Sequence, residues 1–166
     1  MKKSNLFVVL LSLVFGVISA EELSAVINGN TISIYDTKAD IVKILGEPES
    51  IYSISKPGFI YMEKLEVLSY SGFELYFQNK ETEQLVIIRI FETAENACVG
   101  DFIAGKTTVK EIDEKWASYD CYPERNGETY RFEAGKRASG GICLYTEKGL
   151  CKEIMIGIYP FLYHTF

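Results

Sequence analysis

The sequence predicts an α+β fold built from two tandem helix-plus-three-strand repeats, with the helices packed on antiparallel sheet. Three observations carry that expectation. A short segment recurs within the chain, each copy contains a helix-start signal, and each helix is followed by runs that alternate like strands. The recurrence joins Gly29–Ile41, GNTISIYDTKADI, to Gly100–Ile112, GDFIAGKTTVKEI, at a constant offset of 71. Gly29 meets Gly100, Asn30 meets Asp101, Ile32 meets Ile103, Thr37 meets Thr108, Asp40 meets Glu111 and Ile41 meets Ile112. Self-similarity of this kind is read before local pattern, because it sets the architecture.

The chain opens with Met1-Lys2-Lys3, an almost unbroken apolar run from Leu6 to Ile18, and Ile18-Ser19-Ala20. A positive start, a short apolar stretch and a small terminal residue describe an export signal. The run falls short of the ~20 apolar residues of a membrane-spanning helix. Residues 1–20 are therefore expected to be cleaved, leaving a soluble chain without a membrane span. The organisation expected is a signal at 1–20, a first α/β repeat at 21–97, and a second at 98–166 that ends in an aromatic tail.

Val26-Ile27 and Thr31–Ile34 flank Asn28-Gly29, a pair suited to a tight hairpin. Thr37 then starts the first helix, with Asp40 three residues on as the short form of a capping box. Ile41, Ile44 and Leu45 recur at helical spacing, and Gly46-Glu47-Pro48 ends the helix. Alternation and turn residues predict strands over 64–70, 73–78 and 84–91. Glu92 to Ala97 is a short polar link. Thr108 and Glu111 form the standard capping box of the second helix, which carries Ile112 and Trp116. Strands follow over 128–133, 141–146 and 150–159, with Glu147-Lys148-Gly149 as a hairpin turn.

Charge and cysteine content bound the function. The chain of 166 residues has formal charge −6, and loss of Lys2 and Lys3 with the signal takes it to −8. That sign argues against nucleic acid and anionic lipid as partners. Cys98, Cys121, Cys143 and Cys151 form an even set in a chain read as exported, periplasmic or secreted, which favours disulfides, with three pairings open. None of their spacings is a metal knuckle, and His164 is the sole histidine, so no metal and no cofactor is expected.

The same histidine is the sole imidazole available to activate a nucleophile, and it sits in a terminal tail. Glu74, Glu124, Glu128 and Glu133 could supply paired carboxylates, although acidic residues in an acidic chain are mostly solvated. Tyrosines are more informative. Alternation puts Tyr76 and Tyr145 at corresponding places on the sheet face away from the helices, with Tyr70, Tyr130 and Arg131 as neighbours. Exposed tyrosine and arginine on a sheet is the composition of a binding surface, and also of ordinary sheet packing.

The phrases Ile34…Thr37…Asp40-Ile41…Leu45-Gly46-Glu47-Pro48 and Phe102…Gly105-Lys106-Thr107-Thr108…Glu111-Ile112 resemble the opening of BamE (SmpA/OmlA)-type domains and of β-lactamase-inhibitor-protein-like tandem repeats. The resemblance implies helices on an antiparallel sheet and protein-protein contact as the activity. No lipoprotein cysteine stands near residue 20, and the second copy has Trp116-Ala117-Ser118-Tyr119 in place of the leucine-glycine-x-proline ending. The function expected is an exported, non-enzymatic protein-binding module with a protein partner. An inhibitor of a secreted hydrolase and a carboxylate-dependent hydrolase are the alternatives.

Overall fold

The computed structural model describes residues 23–57, 62–78, 83–116, 124–126, 128–133 and 140–159. The expected signal segment, Cys121, and His164 with the rest of the tail from 160 onward lie outside the described residues.

The opening hairpin joins β1 (Ser24–Ile27) to β2 (Asn30–Ser33). Asn28 and Gly29 between them have φ of 51° and 79°, as a turn matched to strand twist requires. Helix α1 (Lys38–Leu45) follows, then β3 (Ser50–Pro57), β4 (Met62–Tyr70), β5 (Phe73–Gln78) and β6 (Leu85–Phe91). The two-residue β7 (Ala97–Cys98) returns to pair with β1. Helix α2 (Val109–Trp116) precedes β8 (Glu124–Asn126), β9 (Thr129–Glu133), β10 (Gly140–Glu147) and β11 (Leu150–Ile158).

Both helix starts are capped as the sequence indicates. The Asp40 N–H donates to Thr37 Oγ1 at 3.3 Å, and the Thr37 hydroxyl donates to Asp40 Oδ2 at 2.7 Å. At α2 the reciprocal box is complete: the Thr108 N–H donates to Glu111 Oε2 at 2.7 Å, and the Glu111 N–H donates to Thr108 Oγ1 at 3.2 Å. The Thr108 backbone donor holds the Glu111 carboxyl below the usual carboxylate range. The Gly46 N–H closes α1 onto the Val42 carbonyl at 2.8 Å.

Eight strands form one antiparallel sheet in the order β3-β4-β5-β6-β11-β10-β9-β8, and β2-β1-β7 form a second. This corrects the expected fold class. The molecule is mostly β, and each eight-residue helix is followed by four strands of a shared sheet rather than by three strands of its own repeat. The strands missed are β3, β7 and β8. In β3, SIYSISKP, serine occupies three of the eight positions and proline ends the run, so its β propensity is diluted. β8 and β7 are three and two residues long, too short to carry a pattern.

Strands β6 and β11 sit in the middle, with Ile90 opposite Ile154 and Ile88 opposite Ile156. Their near-continuous apolar runs, LVIIRIF and the IMIGI of β11, are what central strands covered on both faces need. Residues directly opposite one another share a face. Phe73, Ile90, Ile154, Leu144 and Tyr130 therefore line one side, and Leu68, Leu75, Ile88 and Ile156 line it with them. Both helices lie on that side. The Tyr130 hydroxyl reaches Asp113 of α2 at 3.0 Å, and Lys38 of α1 pairs with Glu66 of β4. The bond to Glu66 raises the Lys38 ammonium above its ordinary range.

Candidate binding surface on the sheet

The opposite face of the sheet carries a charge where two apolar strands meet. Arg89 stands in the middle of β6, between Ile88 and Ile90, and faces Met155 of β11. A charge in an apolar strand needs paired, hydrogen-bonded company to be held there. Glu153 supplies it through a two-pronged contact, Nε to Oε1 at 2.7 Å and Nη2 to Oε2 at 3.0 Å. Glu74 of β5 lies on the other flank, with its Oε2 3.8 Å from Arg89 Nη1. Glu74 also accepts two phenol hydrogens, from Tyr76 on Oε2 and from Tyr52 on Oε1, both at 2.6 Å. The Arg89 guanidinium carbon lies 4.8 Å from the Phe91 ring centre, a cation–π contact.

These groups are half-buried: 30% of the Arg89 side chain and 15% each of Glu74 and Glu153 remain accessible. The Glu153 bond raises the Arg89 guanidinium further above its ordinary range, so the group stays charged. Burial, followed by the bond to Glu74, pushes the Tyr52 phenol up to about 12. Tyr76 and Tyr145 rise further still, burial being the first cause in each. At neutral pH Arg89 is charged and the phenols are neutral, and β5, β6 and β11 are tied together through the side chains of Glu74, Arg89 and Glu153.

The sheet is irregular on either side of this cluster. Register shifts fall between Tyr76 and Phe77 in β5 and between Tyr145 and Thr146 in β10. In each the extra residue is on the partner strand, Val86 of β6 and Lys152 of β11, and such a bulge adds local twist.

No protein-family model matches the chain, and no curated protein does. Among solved structures, it is similar to a cysteine-rich secretory protein from Staphylococcus aureus, at 8% identity and a TM-score of 0.46. The match covers 78% of this chain and 46% of that one, so the chain spans about half the length of that structure.

The tyrosines singled out in the sequence separate between the two faces. Tyr76, Tyr145 and Arg131 share the face of Arg89: Tyr76 is opposite Val67 and Ile87, Tyr145 opposite Glu153, and Arg131 opposite Cys143. Tyr76 is 3% exposed, so its ring packs rather than projects, whereas Tyr145 and Arg131 are half-buried. Tyr70 and Tyr130 lie on the helix side. Tyr70 stacks on Phe73 with ring centres 4.9 Å apart, and its hydroxyl donates to the Gly46 carbonyl at 3.1 Å, fastening the end of α1. Tyr130 is buried against α2. The expectation of one exposed face bearing all five residues is thus corrected to three residues on one face, one of them buried.

Sequence reasoning passed over Tyr52, Arg89, Phe91 and Glu153. A signal for Arg89 was present: a lone arginine within Leu85–Phe91 demands an anion from another strand. Of the carboxylates considered, Glu74 enters this cluster, while the carbonyl of Glu128 accepts a bond from the Thr146 hydroxyl. No disulfide joins any two of Cys98, Cys143 and Cys151. Among the described residues, no group of His, Cys, Asp and Glu side chains is placed to hold a metal ion. No helix there is long and apolar enough to cross a membrane. On the helix side, a cleft of about 230 Å³ is lined by residues that include Ile27, Leu45, Tyr70, Phe73 and Ala94. It is smaller than the roughly 300–1,000 Å³ typical of small-molecule sites.

Proposed function

We propose that this chain is an exported, non-enzymatic protein-binding module whose contact surface is the accessible patch of Arg89 and Tyr52 on the sheet face opposite the described helices, a face on which Val67, Ile87, Cys143 and Met155 are themselves buried. One observation carries the reading: a half-buried cluster of Arg89, Glu74 and Glu153, edged by Tyr52, Phe91 and Tyr145, on the face that neither described helix covers. Arginine and tyrosine in partly desolvated settings are the residues that dominate protein interfaces when a partner completes their burial. The carboxylates outnumber the guanidinium, which suits a partner presenting basic or hydrogen-bond-donating side chains. The acidic charge of the chain, −6 overall, agrees with that choice and disfavours nucleic acid.

The test is capture of a partner from the envelope or medium of the exporting cell, followed by affinity measurement with Tyr52→Ala and Tyr145→Ala. Loss of at least tenfold in affinity, with melting temperature within a few degrees of the parent, is expected. Undiminished affinity in both variants, with a loss in Tyr35→Ala instead, would move the interface elsewhere and refute the assignment. Tyr35 is exposed and lies outside the cluster, so it serves as the control.

A further inference from the structure

The two ends of the eight-stranded sheet are unlike. One end is β8, three residues long, the kind of short edge that discourages strand addition. The other is β3, eight residues long and paired to β4 at every position from Ser50↔Ser69 to Pro57↔Met62 without a register shift. Among the described residues no strand pairs with its outer side. Ser50 to Ser55 contains no charged residue, no proline and no bulge, the usual devices that protect an edge. Two of its three apolar residues are open to solvent, Ile51 at 54% and Tyr52 at 40% exposed, and Ile54 is half-buried.

We propose that β3 is a self-association edge, on which the β3 of a second copy of this chain adds antiparallel about a two-fold axis to make one continuous sheet. Such an axis requires one residue to face its own counterpart, and Ser53 is the position that fits. With Ser53 opposite Ser53, Tyr52 of each copy faces Ile54 of the other on the Arg89 side, and Ile51 faces Ser55 on the helix side. Aromatic against β-branched is a favourable cross-strand pair, and symmetry forms it twice. Charge selects the same arrangement. Glu47 and Glu49 stand before the N-terminal end of β3 and Lys56 near its C-terminal end. At that end Lys56 and Lys64 outnumber Glu63, which lies opposite Lys56, so antiparallel addition sets the Glu47 and Glu49 end of each strand beside the lysine-bearing end of the other, whereas parallel addition would juxtapose like ends. The outward backbone N–H and C=O groups of alternate residues supply the hydrogen bonds.

Sedimentation velocity of the purified protein over a concentration series tests this, together with two variants at Ser53. Within its own chain Ser53 is exposed and faces Glu66, so Ser53→Lys is compatible with the fold, yet it sets lysine directly against lysine across the two-fold axis. The parent should shift from monomer to dimer with concentration, and Ser53→Lys should raise the dissociation constant about tenfold or more at an unchanged melting temperature. Ser53→Cys should give a disulfide-linked dimer on mild oxidation, well above the background of the parent and of Lys148→Cys, an exposed turn position. A parent that stays monomeric to millimolar concentration overturns the proposal, as does a dimer indifferent to Ser53→Lys. Should Ser53→Lys fail to fold, the cross-linking yield decides: no excess over Lys148→Cys rejects the edge.

Discussion

At the scale of single residues, Tyr52 shows how a local environment becomes a pH response. Its phenol is neutral in the fold and bonded to Glu74, and its pKa stands near 12 against about 10 for an unfolded tyrosine. A group whose folded pKa is raised stabilises the fold fully below the unfolded value and ceases to do so as pH climbs through the folded value. Denaturant midpoints should therefore fall between pH 10 and 12, and Tyr52→Phe should fall less over that window than the parent. Equal slopes for the two proteins would show that the Tyr52 hydroxyl contributes nothing. Cys151 has the same sign, with burial pushing its thiol up to about 12, so a Cys151→Ala background separates the two contributions.

At the scale of elements, the turn between β4 and β5 is set by Gly72. Its φ is +85°, and a Cβ there would lie 2.5 Å from Ala94 Cα and 2.6 Å from Ala94 N. Gly72→Ala thus meets both a strained backbone and another stretch of main chain. The loss expected is about 2 kcal/mol or more, read from urea unfolding, where strain alone costs of order 1–3 kcal/mol. A change under 0.5 kcal/mol would mean that the turn re-forms freely. Elements of this kind were legible because their causes are local. Thr108 and Glu111 are three residues apart, and Phe73–Gln78 alternates and is bounded by turn residues, so both could be read directly. β3 was not legible, because a run with serine at 50, 53 and 55 looks like loop until β4 is beside it. The face of Tyr76 followed from period two, but its burial depends on Val67 and Ile87 from neighbouring strands, and no local pattern states that. Arg89 is the clearest case: its partners come from β5 and β11, and only the assembled sheet brings them together.

For the whole molecule, the pairing of β6 with β11 makes one cooperative body from the two halves of the chain, because a single cluster of buried residues runs through both. Arg89→Met should lower stability by about 2–3 kcal/mol, since it leaves two half-buried carboxylates without their cation. Adding Glu153→Met should recover part of that loss. Unfolding should remain a single transition by fluorescence and by circular dichroism in both variants. Two separated transitions would show that the halves melt independently and that the central pair does not join them.

The central position of β11 also has a consequence in time. Ile88 meets Ile156 and Ile90 meets Ile154, so the innermost contacts of the sheet close a loop through most of the second half of the chain. During synthesis, β6 emerges as an apolar strand and waits for its neighbour until Leu150–Ile158 has left the ribosome. Long-range pairing of this sort folds slowly, because the entropy of closing the loop is lost before any contact compensates it. With β5 already made, the nascent chain therefore keeps one edge of β6 unpaired until the last strand arrives, and an unpaired apolar edge is open to association with other chains during that interval.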